Sequence, residues 1–342
     1  MSFAQRNLAR ALDFGMCAMM NAVQWRHRLH ANSRAELERY IAECELLTRE
    51  QFFTAPAIPP ADTPSTRNGI SPASAFPNGI WEREGRDAVL SWPSPINTGF
   101  ATNDRTHVDI FACEGGAAAP TIFLLHALMS TSDTGYRAWA RRFNERGWNA
   151  CFVHLPFHYS RTPRGHCNGE LAISADLVRT AQGLRQGVVE LRQLMQNFRA
   201  RGVREFALWA SSYGGWIGAL LSFVESDFRF VALMEPILNI EHAIWKSAAA
   251  VRLRAQLRKN GVAPALVARH FHLTSPMHGE PLCDKERVLF AAGDYDQIAR
   301  REDIETLHEK WRGSELLRVP QGHFGYRMMP AMFARLCARG LI

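Results

Sequence analysis

Five continuous apolar segments, most of them separated by helical stretches, constrain the fold of this chain most strongly. They are TIFLLHA (121–127), NACFVHLP (149–156), EFALWAS (205–211), RFVALMEP (229–236) and RVLFAAG (287–293). Runs of this length without polar alternation are typical of strands buried on both faces. Because β and α segments alternate, the sequence predicts an α/β fold with a mostly parallel central sheet and helices on both faces. A ligand site is then expected at the carboxyl ends of the strands.

The segments before these runs differ in character. DAVLSW (87–92) and HVDIFAC (107–113) are short and predict an antiparallel opening to the sheet. Residues 1–55 predict a helical hairpin, and residues 56–78 are dense in Pro, Ser, Asn and Gly and predict an irregular connector. The main α/β domain is therefore expected over 79–342.

The N-terminal extension is predicted to begin with an amphipathic helix. Its apolar residues recur at helical spacing: Leu8, Leu12, Met16, Met19 and Val23. This stripe, with its neighbouring methionine Met20, predicts docking on the main domain, with contact to lipid or a partner as the alternative. A capping-box pattern from Ser33 to Glu36 predicts the start of a second helix.

Composition restricts the class of protein. The 342 residues are 47% hydrophobic, which is enough for a large core. The formal net charge of +7 comes mostly from arginines scattered through predicted helices, so nucleic acid is not an expected partner. No apolar segment reaches the ~20 residues of a membrane span, although peripheral membrane contact stays open. The seven cysteines are odd in number, widely spaced and without a CxxC, which favours a reducing, cytoplasmic setting.

The stretch LWASSYGGWIGAL (208–220) carries the candidate nucleophile. It predicts a strand, a sharp turn and a helix, with Ala210 two residues before Ser212 and Gly214 two residues after it. This context is typical of a nucleophile elbow, where small neighbours let a strained turn form without clashes. Ser211 has no glycine at its own +2 position and is expected to face along the strand as a spectator. Small residues and serine also occur in ordinary turns, so the partners of the serine decide the interpretation.

A serine nucleophile needs a general base and a third group that orients the base. Both are present later in the chain. An aspartate pair follows the strand in VLFAAGDYDQI, and His323 lies on a Gly-flanked loop in VPQGHFGY. The order Ser212, Asp296, His323 is that of the α/β-hydrolase superfamily, which the sequence resembles over about residues 100–342. The resemblance implies a cofactor-independent serine hydrolase of the esterase-like branch, with these three residues as its catalytic triad.

The resemblance also bears on the acid and on the region above the site. Asp296 holds the usual position of the acid. Asp294, which could instead cap the turn, and Glu235, at the end of RFVALMEP, stay open as alternative acids. An insertion after the strand that follows the elbow often forms a helical cap in this fold, and residues 237–285 match that place. Such a cap could bury an acyl or alkyl chain, or it could be two peripheral helices with charged outer faces.

An oxyanion hole in this superfamily combines two backbone N–H groups. One comes from Tyr213, which follows the nucleophile. The other comes from the loop after TIFLLHA, for which Leu128 or Met129 is the expected donor. That loop resembles the family's His-Gly-x-x segment, with Ala127 in the place of the glycine and His126 expected to support the loop.

A loop between two predicted elements, LPFHYSRTPRGHCNGE, lies on the edge of the sheet where substrate loops belong. Arg161, Arg164 and His166 within it could meet a carboxylate or phosphate on a ligand. The alternative is a solvated loop fixed by arginine–backbone hydrogen bonds.

The leading hypothesis is a carboxylesterase that cleaves a small-molecule or lipid-like acyl ester through an acyl-enzyme. We expect neither a cofactor nor a metal, because the sequence has no phosphate loop, dinucleotide fingerprint or metal-ligand spacing. Two alternatives stay open: a non-catalytic binding or scaffold protein of the same fold, favoured by the alanines at Ala210 and Ala127, and a membrane-peripheral lipid hydrolase. The sequence does not predict the oligomeric state.

Overall fold

The computed structural model describes residues 3–26, 29–58 and 88–342. Most of the connector expected over 56–78 lies outside them. The described residues form eight strands in one sheet: β1 Ala88–Pro93, β2 Arg105–Phe111, β3 Thr121–Leu125, β4 Asn149–Val153, β5 Phe206–Ser211, β6 Phe228–Met234, β7 Val288–Gly293 and β8 Glu315–Val319. The spatial order is β1-β2-β4-β3-β5-β6-β7-β8.

Strand direction follows the expected pattern. The β1–β2 and β2–β4 pairs are antiparallel, and every other neighbouring pair is parallel. The central strands β3 to β7 are buried at every position, apart from one exposed residue near the start of β6. This is why their sequences read as continuous apolar runs rather than as alternating ones. The predicted mostly parallel sheet is confirmed.

Helices surround the sheet and precede it: α1 Phe3–Arg26, α2 Arg34–Cys44, α3 Arg49–Phe52, α4 Thr134–Asn144, α5 Leu177–Ala200, α6 Tyr213–Ser222, α7 Ile240–Trp245, α8 Val251–Lys259, α9 Pro264–His270, α10 Arg301–Lys310 and α11 Met328–Ala338. Two hydrophobic clusters lie one on each face of the sheet. One contains side chains of α5, α6 and α10, and the other contains side chains of α4 and α11. Helices therefore cover both faces, as predicted. None of the described helices has the length and hydropathy needed to cross a bilayer.

The N-terminal helix forms, but only part of the predicted stripe is covered: Met16, Met20 and Val23 are half-buried. Leu8, Leu12 and Met19 are 70%, 46% and 43% exposed, whereas Asp13 and Cys17 are buried. The buried face lies about 100° around the helix from the stripe. Asp13 accepts hydrogen bonds from backbone amides of the main domain, and these polar partners orient the helix. The predicted start of α2 is confirmed, because Ser33 and Glu36 form the reciprocal capping bonds.

Four loops converge at one edge of the sheet. They follow the carboxyl ends of β5, β6, β7 and β8, and they carry Ser212, Glu235, Asp296 and His323 in that order. Because these four strands are adjacent and parallel, residues far apart in the chain meet at this edge. Helices α7 to α9 fill the segment between β6 and β7, where the insertion over 237–285 was expected.

Candidate active site

Ser212 lies alone in the turn between β5 and α6. Its backbone has φ 52° and ψ −111°, a conformation that a residue with a side chain rarely adopts. The amide of Ser212 donates to Met234 O at 2.9 Å, and its carbonyl accepts from Trp216 N at 3.0 Å, so the strained turn is fixed on both sides. A strained backbone held by its surroundings is typical of functional sites.

The two glycines after Ser212 make this turn sterically possible. A Cβ on Gly214 would lie 2.5 Å from Leu125 O, and one on Gly215 would lie 2.8 Å from the Cβ of Pro236. Both distances are shorter than real carbon contacts, and the obstacles are backbone or ring atoms that cannot rotate away. Glycines at 214 and 215 are therefore required by the close approach of α6 to the ends of β3 and β6.

Ala210 carries a Cβ at the elbow, and the facing helix α6 leaves room for it. A Cβ on Gly218, in the first turns of α6, would lie 3.1 Å from the Cβ of Ala210. Gly218 on the facing helix, which has no Cβ, leaves the space that the Cβ of Ala210 needs. Ala210 thus fits at the elbow without pushing the helix away from the strand.

A hydrogen-bonded relay joins three of the predicted residues. Ser212 Oγ lies 2.9 Å from His323 Nε2, and His323 Nδ1 lies 2.7 Å from Asp296 Oδ2. Asp296 Oδ1 accepts from the amides of Ile298 and Ala299 at 2.7 and 2.8 Å. With both carboxylate oxygens engaged, the Nδ1–H of His323 donates to Asp296, and Nε2 is left to accept the proton of the serine hydroxyl.

The alternative acids occupy other positions. Asp294 binds Arg318 through Oδ1 at 2.7 Å and does not contact His323 in the structure. Glu235 is buried beside the relay, and its Oε1 accepts from Gln321 Nε2 at 2.8 Å. Burial raises the pKa of Glu235 to about 8, an effect that nearby Asp296 reinforces and His323 opposes. Glu235 is then a neutral carboxylic acid near pH 7, whereas Asp296 is the carboxylate in contact with the imidazole.

The electrostatic surroundings of His323 stabilise a positive charge on its ring. Burial by itself would lower the pKa of the imidazole, but the charge and hydrogen bond of Asp296, with a contribution from Asp13, raise it above its ordinary value. Negative groups on one side of the ring stabilise the imidazolium that forms when Nε2 takes a proton. The general base is the neutral imidazole, whose Nε2 can take the serine proton.

The predicted oxyanion donors border the serine. Tyr213 and Leu128 both line the cavity that contains Ser212 and His323. The amide of Met129, the alternative to Leu128, donates to His158 Nε2 at 3.2 Å instead. Of the two candidates on this loop, the structure therefore favours Leu128 as the second donor.

Two buried histidines hold the loop after β3. The Nδ1–H of His126 donates to Ala127 O at 2.9 Å, and its Nε2 accepts from Leu155 N at 3.1 Å. His158 donates from Nδ1 to Pro156 O at 2.9 Å. Burial lowers the pKa of His158 to about 4 and that of His126 well below its usual value, so both rings are neutral. They fix backbone positions at the site.

A cavity of about 100 Å³ opens at the serine. Besides the relay residues, its lining is mostly apolar and comes from several parts of the chain. Helices α7 and α8 contribute side chains such as Ile244 and Leu253, α1 contributes Met20 and Gln24, and the segment before α5 contributes Ile173. A mostly apolar space next to a serine hydroxyl suits an acyl chain better than a charged group.

Comparison with solved structures identifies the architecture. The acetyl xylan esterase from Paenibacillus sp. R4 superposes with a TM-score of 0.56 at 10% identity, covering 94% of this chain and 98% of that chain. Acetyl xylan esterase 1 from Thermoanaerobacterium sp. JW/SL YS485 gives 0.53 at 13% identity, covering 90% and 94%. The chain has the α/β-hydrolase fold. The α/β-hydrolase GrgF from Penicillium sp. sh18 also gives 0.53, at 10% identity, over 74% of this chain and 97% of that one.

Sequence comparisons add relatives without an assigned activity. No family model matches the chain. An uncharacterised protein of Mycobacterium tuberculosis (strain ATCC 25618 / H37Rv) is 25% identical over 193 residues, which are 56% of this chain and 45% of that protein. The chain thus spans about half the length of this relative. The uncharacterised protein YdjC of Bacillus subtilis (strain 168) is 26% identical over 87 residues, 25% of this chain and 75% of that protein.

The prediction that Arg161 contacts a ligand is wrong. Arg161 is 1% exposed and forms a two-point ion pair with Glu190 at 2.6 and 2.9 Å. Its remaining donors bind the carbonyl oxygens of Asn103 and His154. A guanidinium with every donor engaged inside the protein cannot bind a ligand, so Arg161 is a structural residue.

The other two residues of that loop lie apart from the serine cavity. Arg164 is exposed, and His166 Nδ1 lies 3.3 Å from Glu170 Oε2. Neither contributes to the lining of the cavity at Ser212. Their role toward a substrate stays a prediction.

Two clusters in the described part of the chain hold side chains of the kinds that ligate metals, with ligand atoms within 4.8 Å of one another. They are His107, Asp109 and His154 in one, and Glu235, Asp296 and His323 in the other. In the second cluster both ring nitrogens of His323 are engaged by Ser212 and Asp296. In the first, Asp109 is bound by Arg137 at 2.8 Å and by His107 at 3.2 Å. A cation there would compete with the guanidinium for the carboxylate.

Sequence reasoning missed one polar residue at the site. Asp13 of α1 is fully buried and binds backbone amides of the loops that carry His323 and Asp296. A signal was present, because Asp13 is the one acidic residue of a 24-residue helix that otherwise contains apolar, amide and arginine side chains. A lone acid on such a helix needs a buried partner or an exposed position.

Proposed function

We propose that this chain is a serine hydrolase that cleaves a carboxylic ester through an acyl-enzyme. The observation that carries the proposal is the relay from Ser212 through His323 to Asp296 at a strained elbow that opens into an apolar cavity. The esterase names of structurally similar proteins support the same reaction class. The acyl group would occupy the cavity, and the alcohol would leave toward solvent.

The first half of the reaction forms the acyl-enzyme. Ser212 Oγ attacks the carbonyl carbon of the ester while His323 Nε2 takes its proton, and Asp296 stabilises the resulting imidazolium. The amides of Tyr213 and Leu128 hold the developing oxyanion. The C–O bond to the alcohol then breaks, and His323 returns its proton to the leaving alcohol oxygen.

The second half releases the acid. A water molecule attacks the acyl carbon as His323 Nε2 accepts its proton, and the C–Oγ bond breaks as the proton returns to Ser212. Three side chains and two amides supply the nucleophile, the base and the oxyanion donors. The proposed mechanism therefore requires no metal or organic cofactor.

Labelling with a fluorophosphonate probe tests the proposal directly, because the probe reacts with an activated serine. The decisive pair is Ser212→Ala and Ser211→Ala, since Ser211 is the adjacent hydroxyl at the end of β5. We expect labelling of the wild type and of Ser211→Ala, and none of Ser212→Ala. Hydrolysis of a p-nitrophenyl ester series by the same proteins should follow the same pattern. A wild type that is folded by circular dichroism but is neither labelled nor hydrolytic would instead indicate a non-catalytic binding protein.

A second candidate, a hydrolase that acts at a lipid surface, is favoured by the outer face of α1. Leu8, Leu12 and Met19 are exposed on this helix, whose other side contributes to the cavity wall. Sedimentation with anionic phospholipid vesicles tests it. Binding that is lost when Leu8 and Leu12 are both changed to Ser would support a lipid substrate, and full recovery of the wild type in the supernatant would remove this candidate.

A further inference from the structure

The buried face of α1 runs along the active site. Its residues are spaced at three or four positions, as one face of a helix requires: Asp13, Cys17, Met20 and Gln24. Met20 and Gln24 line the serine cavity, and Cys17 is 1% exposed. Asp13 is the charged member of this face. It lies at the end of the face nearest to the loops that carry His323 and Asp296.

One carboxylate oxygen of Asp13 binds both of these loops. Asp13 Oδ2 accepts from the amide of His323 at 3.0 Å and from the amide of Gln297, which follows Asp296, at 3.1 Å. Asp13 Oδ1 accepts from the amide of Phe324 at 3.2 Å. The backbone of the base and the backbone next to the acid are therefore joined through a single atom. Removal of that atom would take from both backbone segments a hydrogen-bond acceptor that they share.

The His323 loop is shaped to admit this carboxylate. A Cβ on Gly322 would lie 2.7 Å from Asp13 Oδ1 and 2.9 Å from both Cγ and Oδ2. Gly322 does not adopt a positive φ, so its backbone conformation is open to alanine. Contact with Asp13 is the feature of this position that requires a residue without a side chain. Because Gly322 has no Cβ, the buried carboxylate of Asp13 can occupy the adjacent space.

We propose that Asp13 is a positioning residue of the active site: the N-terminal helix supplies a carboxylate that sets the geometry of the His323–Asp296 pair. The inference rests on the proposed serine hydrolase function and assigns part of the active site to the N-terminal extension. Asp13 contacts no reacting atom and acts through the backbone of the base. A misplacement of about 1 Å at such a group costs about 100-fold in rate.

A plain docking role for Asp13 predicts a different result, and Asn21 on the same helix provides the matched control. Asn21 Nδ2 donates to Ala248 O at 2.9 Å, and its Oδ1 accepts from Arg252 N at 3.0 Å. These bonds fasten α1 to the segment between β6 and β7 without touching the His323 loop. Asn21→Ala therefore removes comparable hydrogen bonds of the helix while leaving the catalytic loops alone.

The experiment compares Asp13→Ala, Asp13→Asn, Gly322→Ala and Asn21→Ala in the full chain. The readouts are the rate constant of fluorophosphonate labelling, kcat and KM for a short ester, and Tm. We expect Asp13→Ala to lower labelling and kcat about 100-fold with KM unchanged. Asp13→Asn keeps one oxygen for the amides of His323 and Gln297 and should recover part of the rate. Asn21→Ala should lower Tm without a comparable loss of labelling.

Gly322→Ala examines the same contact from the opposite side, and it keeps the proposal testable if Asp13→Ala does not fold. The new methyl group should displace the carboxylate and lower kcat in the same way. In the Asp13→Ala background the methyl group meets no carboxylate, so Gly322→Ala should cause no further loss. Additive losses in the double variant, or equal losses in Asn21→Ala and Asp13→Ala, would show that Asp13 only docks the helix.

A spectroscopic readout separates failure of this inference from failure of the proposed function. The Nδ1 proton between His323 and Asp296 should give a downfield NMR resonance in the resting protein, whether or not it hydrolyses esters. Loss or movement of that resonance in Asp13→Ala, but not in Asn21→Ala, supports positioning even if the wild type resists the probe. An unchanged resonance with wild-type labelling in Asp13→Ala overturns the inference.

Discussion

The volume of the serine cavity predicts which acyl chains the protein accepts. An enclosed apolar cavity of about 150 Å³ holds a benzene ring, or about 25 Å³ for each carbon. The cavity of about 100 Å³ at Ser212 should then hold a chain of about four carbons. Each buried methylene contributes about 0.8 kcal/mol, which is about fourfold in kcat/KM. Longer chains should overfill the cavity at a cost of about 1–3 kcal/mol.

Enlarging the cavity should move this optimum. Leu253 lines the cavity from α8, and Leu257, one turn later on the same helix, is equally buried but does not line it. Leu253→Ala removes three carbons and should move the optimal chain from about four carbons to about six or seven. Leu257→Ala should lower stability by about 2–5 kcal/mol without moving the optimum.

The assay is kcat/KM for p-nitrophenyl esters from acetate to decanoate, with Tm measured for each variant. The wild-type profile should rise about 15-fold from acetate to butanoate and then fall. Three results would refute the reasoning: a flat profile, a profile that rises through decanoate, or the same displacement in both leucine variants. Any of them would mean that the acyl chain does not bind in this cavity.

Four further predictions concern the elbow, the acid, the neighbouring Glu235 and the buried ion pair. Gly214→Ala should prevent the wild-type fold, because its Cβ would lie 2.5 Å from a fixed carbonyl oxygen. Gly135 lies in open space, so Gly135→Ala should be tolerated. Soluble yield and Tm measure both effects. Asp296→Asn should lower kcat about 10⁴-fold by fixing the wrong tautomer of the histidine. Glu235→Gln should leave kcat near that of the wild type at pH 6–7, because burial raises the pKa of Glu235 to about 8 and glutamine resembles the neutral acid. Glu190→Gln should lower the free energy of unfolding by about 3–5 kcal/mol, since it leaves a buried guanidinium without a counter-charge, and denaturant titration measures this.

Sequence patterns predicted the sheet well because strands buried on both faces have continuous apolar sequences. A strand such as β3, buried at every position, has to be apolar throughout, and that pattern survives without knowledge of its neighbours. The chain order of Ser212, Asp296 and His323 was equally informative, because each follows a parallel strand and such residues meet at one edge of the sheet.

The roles of Asp13 and Arg161 could not be predicted from local patterns. Asp13 and His323 are 310 positions apart, and the groups that Asp13 binds are backbone amides, which have no signature in the sequence. Arg161 pairs with Glu190, which lies 29 positions later on a helix. The sequence around Arg161 is typical of an exposed loop, but this ion pair is buried. In both cases a polar group satisfies a distant buried partner, and the penalty for leaving such a group unpaired decides the packing.

Buried polar groups, rather than the apolar stripe, also determine which face of α1 docks. Its apolar stripe predicted burial, yet the structure buries Asp13 and Cys17 and exposes Leu8 and Leu12. An unpaired buried amide costs about 1–3 kcal/mol, and α1 supplies acceptors to three amides through Asp13 and to one more through Asn21. These amides belong to other segments, so the composition of the helix does not reveal them.

Backbone strain at Ser212 gives a test that does not depend on knowing the substrate. The conformation at φ 52° costs a residue with a side chain about 1–3 kcal/mol, and a glycine is free of this cost. Elsewhere glycine is less stable than alanine by about 0.5–1 kcal/mol, because the unfolded chain gains freedom. Ser212→Gly should therefore be more stable than Ser212→Ala by about 0.5–2 kcal/mol, whereas Ser211→Gly should be less stable than Ser211→Ala. Thermal unfolding of the four variants measures the two differences. The same sign at both positions would mean that the turn is not strained, and the elbow would lose the property that presents its hydroxyl to a substrate.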